Sequence, residues 1–315
     1  MTVAERPPAL RSLRQLARAA RPKLMSLGYL VLAVVLVIVV WELVLTFGDF
    51  PGYVLPGLSD VWRALKAILN PNSPSSMWTN FWSTVLATVY GFLLAAVIGI
   101  VLGIAMGEFQ FVRQIAMPYI VAMQSVPKAA LVPLIITWAG YGSTSKIIIG
   151  FMLAVFPIIV NTLQGVSDIS EDRINLVRSL GVGRWRELRY VRWSSALPNI
   201  FVGLELAIVY SLLGVVVAEV LGAQTGLGVM IAQFETVSDT AGIFALLVVL
   251  AVIGFVLNKI VAVAHARFAW WDRGRNHRRG RRAGRPSAKP VVSPATTVAS
   301  STTSERQMDK HEMSR

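Results

Sequence analysis

The sequence predicts an all-α integral membrane protein with six transmembrane helices and both termini in the cytoplasm. Composition comes first: the 315 residues are 55% hydrophobic and 15% charged, with a mean hydropathy of +0.60. That is too apolar for a soluble domain and long enough for several spans of about 20 residues each. Six apolar runs follow one another, interrupted between the fourth and fifth by an arginine-rich stretch of about thirty residues. The charge pattern orients them. Six basic groups (Arg6, Arg11, Arg14, Arg18, Arg21, Lys23) face one acid, Glu5, in residues 1–23; six Arg fall in 171–192; nine Lys or Arg face only Asp272 between Arg267 and Lys289. By the positive-inside rule these segments are cytoplasmic, whereas 222–242, without Lys or Arg, is outside.

The net charge of +13 does not point to nucleic acid, because it is gathered beside spans, where anionic lipid is the natural contact for the basic tail. Absence of Cys excludes disulfides, thiolate catalysis and Cys-ligated metal. His265, His277 and His311 lie at or beyond the last span without ligand-like spacing, so neither a metal site nor a cofactor is expected.

In chain order, residues 1–26 form a basic cytoplasmic N-terminus, 27–268 the membrane domain with a cytoplasmic loop at 166–197, and 269–315 a basic disordered tail. The first apolar run, Leu27 to Phe47, exceeds a signal-peptide core and lacks a small-residue cleavage site, so it is retained as a span. A Pro/Gly/Asn/Ser-rich stretch follows. Within it, Leu58 to Leu69 reads as an amphipathic helix (Val61, Trp62, Leu65, Ile68) lying on the outer membrane surface. Span two, about Trp82 to Met106, carries Gly91, Ala95, Gly99 and Gly103 every fourth residue, a face suited to close helix approach.

Span three, about Ile115 to Trp138, contains Pro127 and Pro133, each expected to break the helix. Unpaired backbone at membrane depth is tolerated against protein or a watery cavity, so this broken span is expected to line a pathway. Span four follows Tyr141-Gly142-Ser143 to about Gln164 with Pro157 inside; spans five (about Pro198 to Leu221) and six (about Ile243 to Ala266) complete the set.

Charges near the spans admit two readings. Glu42, Glu205, Glu219 and Lys259 are either proton relays or ligands, or they sit near an interface. The interface reading is preferred for Glu42, Glu219 and Lys259, while Glu205 stays open between interface, helix packing and pathway. Lys128, inside the Pro127 to Pro133 break, either meets an anionic substrate or snorkels to the interface.

The central loop is built as a short helix, a glycine break and a second basic helix ending at Pro198. It contains Asn175, Leu176, Ser179, Leu180, Gly181, Arg184 and Trp185. Gly181 can take a left-handed conformation and so end the helix from about Glu171 to Leu180, whose acidic start suits its N-terminus. This loop resembles the cytoplasmic loop of binding-protein-dependent ABC importer permeases, in the nitrate/sulfonate/taurine branch. Gly181 takes the glycine position and Val191 the isoleucine position, and Arg184-Trp185 and Ala196-Leu197-Pro198 match that branch. It departs where Asn175-Leu176-Val177 replaces Glu-Ala-Ala and Trp193-Ser194 stands for Leu-Pro. The resemblance extends over about residues 51 to 271 through Val54-Leu55-Pro56, Ser125-Val126-Pro127-Lys128, Pro133-Leu134, Trp138-Ala139-Gly140-Tyr141-Gly142, Phe156-Pro157-Ile158, Asn161-Thr162, Ala218-Glu219 and Gly226-Leu227-Gly228.

What the resemblance implies is a type I ABC importer-like permease in the bacterial cell membrane. It implies a homodimer or close pair, two ABC ATPase subunits docking on the loop, and an extracytoplasmic solute-binding protein. No Gly-x-x-x-x-Gly-Lys-Ser/Thr loop occurs, so ATP hydrolysis is expected in a separate subunit and the chain is not itself an enzyme. The expected cargo is a small solute, an organic or inorganic anion such as a sulfonate, taurine or nitrate. A vitamin precursor (pyrimidine or riboflavin) is the alternative, as is a proton-coupled carrier using Glu205 and Glu219.

Overall fold

The computed structural model describes residues 28–268 apart from 30, 31, 34, 49–50, 74–75, 169–170, 182, 184–185 and 187–191. Everything described is helix, turn or irregular connection. The chain runs α1 (Val35–Gly48), α2 (Leu58–Leu69), α3 (Trp78–Glu108), α4 (Gln110–Ser125), a 3-10 turn (Lys128–Leu131), α5 (Val132–Ala139), α6 (Ser143–Ser167), α7 (Glu171–Ser179), α8 (Trp193–Leu221), α9 (Leu227–Thr236) and α10 (Thr240–Phe268). Among the described residues, four helices, α3, α6, α8 and α10, are long and apolar enough to cross a membrane. The pair formed by α4 and residues 128–139 makes a fifth crossing if counted as one bent span. At 14 residues α1 is shorter than a crossing requires, and the expected start of the first span at Leu27 lies outside the described residues.

The core is a sandwich of α3, α6 and α8, with α6 in the middle. Its cause is the small-residue stripe. Gly91, Ala95, Gly99 and Gly103 are all buried, and a Cβ on Gly99 would fall 2.9 Å from the Ile158 Cβ, one on Gly103 2.5 Å from that of Thr162. The opposite face of α6 meets α8 in the same way: a Cβ on Gly214 would come within 2.9 Å of the Ile149 carbonyl. The stripe of span two therefore faces protein, as its spacing implies.

Several expectations need correction. Pro127 does break span three, with an 84° bend between α4 and the 128–139 segment. Pro133 does not, because it occupies the first turn of α5, where a missing N–H costs nothing. Pro198 does not end the loop's second helix; it lies inside α8, five residues after that helix begins at Trp193. The apolar face of α2 packs in part on protein, with Ile68 1% exposed in a cluster with Leu227, Met230 and Leu246 of α9 and α10, while Trp62 of the same helix stays 58% exposed. The 222–242 connection, expected as a loop, contains the helix α9.

Candidate functional site

Where α6 begins and α8 ends, two charges meet inside the bundle. Lys146 Nζ lies 3.1 Å from Glu219 Oε1, and the two side chains are 1% and 0% exposed. Burial of an ion pair is tolerated only when the remaining donors and acceptors are also satisfied. Here they are. The Thr84 hydroxyl lies 2.9 Å from both carboxylate oxygens, and the Gly228 N–H donates to Oε2 at 3.0 Å. Lys146 donates further to Ser83 Oγ at 2.6 Å and to the Thr225 carbonyl at 2.9 Å. The Leu227 N–H donates to Thr84 Oγ1 and the Gly226 N–H to Asn80 Oδ1, at 2.9 and 2.8 Å. The network thus pins the segment 225–228 to α3, α6 and α8 together.

Glycine is required where this segment crosses the carboxylate. Gly226 has φ 129°, and a Cβ there would overlap the Glu219 carboxyl group; one on Gly228 would lie 2.6 Å from the Glu219 Cβ. Ala218-Glu219 and Gly226-Leu227-Gly228 are consequently two halves of one contact. Glu219, near the end of α8, is thus held by a buried partner, Lys146, that was passed over in the sequence.

A second feature is a groove of about 480 Å³ in the wall formed by the 84° break, α6 and α8. Lys128, first residue of the turn after the break, holds its Nζ 5.2 Å from the centroid of the Phe156 ring, a cation–π contact. Gln124, Asn161 and Tyr210 supply further polar groups, and Leu153, Pro157, Val160, Leu206 and Leu213 the apolar surface. Among the described residues, no Asp or Glu lines it. Of the residues expected on a pathway, Lys128 lines this groove, while Pro127 and Pro133 shape the bend and the turn beyond it. Glu205 is elsewhere: its carboxylate is 2.8 Å from His265 Nδ1 of α10, and the His265 ring stacks on Phe201 at 5.0 Å. Glu42 and Lys259 are exposed on α1 and α10. Gln124 and Tyr210 were not singled out in the sequence, and Phe156 and Asn161 entered only as parts of the family landmarks; Pro157, four residues after Leu153 and one after Phe156, was the available signal.

The loop between α6 and α8 contains α7, and Gly181 follows it with φ 72°, its N–H donating to the Arg178 carbonyl at 3.0 Å. This is the left-handed conformation expected of a helix-ending glycine. Leu176 and Leu180 are 63% and 73% exposed, Asn175 and Ser179 are exposed as well, and the Ser179 hydroxyl donates to the Leu176 carbonyl at 2.8 Å. Arg184, Trp185 and Val191 lie outside the described residues.

The family described as binding-protein-dependent transport system inner membrane component matches residues 95–269. The chain belongs to this family. It is therefore a multi-pass inner-membrane transport component rather than an enzyme. Among its relatives, the riboflavin transport system permease protein RibX of Chloroflexus aurantiacus is 32% identical over 241 residues, 75% of this chain and 87% of that one. The taurine transport system permease protein TauC of Escherichia coli is 31% identical over 234 residues, 74% of this chain and 85% of its own. A chain from the inward-facing MetNI methionine ABC transporter shares the fold, with a TM-score of 0.52 at 18% identity, covering 62% of this chain and 99% of that chain. For a binding-protein-dependent permease, the matched region takes in the groove, α7 and Glu219, while Thr84 and Asn80 lie just before it. The relatives' names span riboflavin and taurine, so membership alone leaves the cargo unspecified.

Proposed function

We propose that this protein is the permease subunit of an ATP-driven importer, working as a pair of copies with two separate ATPase subunits below and a solute-binding protein above. Six crossings with both termini in the cytoplasm complete the scheme, the first supplied by residues 27–47. The observation that carries it is α7: a nine-residue helix between two spans, ended by Gly181 and presenting Leu176 and Leu180 to solvent. Leu176 and Leu180, four residues apart at the end of this helix, offer a small apolar patch that a cleft in an ATPase subunit would cover. A short helix held there moves as one body when two ATPase subunits close. The basic residues around it favour the side of the membrane where ATP is available.

The cargo is a small solute that passes the Lys128 groove, whose lone cation and lack of acids favour an anionic group. A proton-coupled carrier has less support, because Glu219 is neutralised by Lys146 and Glu205 is engaged with His265.

Two variants test the docking element. Leu180→Asp puts a charge into the proposed cleft, and Gly181→Val forces a β-branched residue to positive φ, costing roughly 1 to 3 kcal/mol locally. Both are expected to reach the membrane, lose ATPase co-purification and lose substrate-stimulated hydrolysis in liposomes. Full stimulated turnover in both would remove α7 from the coupling path.

A further inference from the structure

We propose that the groove beside Lys128 binds a small organic solute with an anionic group at one end and an N–H donor at the other, and passes over bare inorganic oxyanions. This rests on the transport reading above and narrows its cargo. Three features of the wall argue for it.

The first is size. About 480 Å³ falls within the range of sites for small organic ligands, and an inorganic oxyanion would leave most of it to water. The second is the cation. Lys128 Nζ is held over the Phe156 ring rather than by a carboxylate, and no Asp or Glu lines the groove, so its charge is available to an incoming anion. The third is a backbone acceptor without its usual helical donor. Pro157 sits inside α6 and has no N–H, so the Leu153 carbonyl four residues earlier lacks its usual helical donor. Leu153 and Pro157 both line the groove. The neighbouring acceptor is already engaged, since Asn161 Nδ2 donates to the Pro157 carbonyl at 2.8 Å. A carbonyl deprived of its donor at membrane depth is costly unless a cavity ligand or water supplies one. A cation and a carbonyl acceptor in one groove, with the Phe156 ring and apolar side chains among its lining, match a solute with an acceptor end, an apolar middle and a donor end.

The test uses full-length protein co-purified with its ATPase subunits in lipid nanodiscs, with binding read by saturation-transfer NMR. Three amino-bearing probes, taurine, β-alanine and 4-aminobenzoate, are each compared with the donor-free counterpart: ethanesulfonate, propionate and benzoate. Nitrate serves as competitor. At least one amino-bearing probe is expected to bind about tenfold tighter than its counterpart, the weight of one hydrogen bond involving a charged group, without displacement by nitrate. Lys128→Met should weaken both members of that pair. Pro157→Ala returns an N–H to the Leu153 carbonyl and should bring the pair to near parity while sparing the donor-free member. Equal or tighter binding of the donor-free probes, displacement by nitrate at matched concentration, a preference unchanged in Pro157→Ala, or no binding by any probe would each overturn the proposal. Failure of the ATPase subunits to co-purify counts instead against the transport reading; co-purification and ATP hydrolysis without the amino preference count only against this one.

Discussion

The Lys146 ammonium and the Glu219 carboxylate, 73 positions apart in sequence, close to 3.1 Å and tie the first turn of α6 to the last turn of α8. Their enclosure makes the pair far more consequential than an exposed one. Removing one partner leaves the other charged and unpaired in an apolar bundle.

Glu219→Gln and Lys146→Met should each destabilise the protein by about 3 to 5 kcal/mol, whereas the double variant Lys146→Met with Glu219→Leu should recover much of that loss. Thermal unfolding of the purified full-length chain in detergent reads this. Single variants as stable as the parent would mean that the two charges do not depend on each other.

Gly226→Ala should destabilise for two reasons, a φ of 129° that alanine resists and a Cβ that displaces the Glu219 carboxylate. In a Glu219→Ala background the second reason disappears, so the added cost should shrink to the backbone share of roughly 1 to 3 kcal/mol. An identical cost in both backgrounds argues that the glycine is needed for its backbone alone.

Glu205→Gln should leave transport kinetics unchanged and lower the unfolding temperature slightly, because the carboxylate faces His265 rather than the groove and is 30% exposed. Uptake lost at normal membrane levels would return Glu205 to the pathway.

A single Cys at Gly183, in a chain that has none of its own, should be labelled by a membrane-impermeant maleimide only after the cytoplasmic side is opened. Labelling of intact cells would refute the six-crossing scheme and the orientation drawn from the arginines.

Long apolar helices were legible because their signal is local: α3, α6, α8 and α10 each hold enough consecutive apolar residues to be seen without knowing their neighbours. The bounds of α2 were equally plain from its amphipathic spacing, and the positive φ of Gly181 from its place after a short helix. What escaped depended on distant partners. Glu219 read alone is a charge near a span end, and only the fold brings Lys146 and Thr84 to it; two opposite charges inside apolar runs were the available hint. The helix α9 escaped because its ten residues, which follow Gly226 and include Gly228, look like a loop when only charge is counted. Pro133 was misjudged because a proline opening a helix and one breaking it differ only in where the first turn begins, which Pro127 decides.

The glycine crossings of α3, α6 and α8 have a mechanical corollary. Surfaces meeting at main-chain distance, with no flexible side chain between them, have no bearing on which to slide. Those three helices form a keel. If α7 docks as proposed, a push arriving through it at the end of α6 would find little give within that keel, and the place left to yield would be the 84° bend at Val126-Pro127, next to Lys128. Work done on the loop would then be felt as a change in the width of the space beneath that lysine.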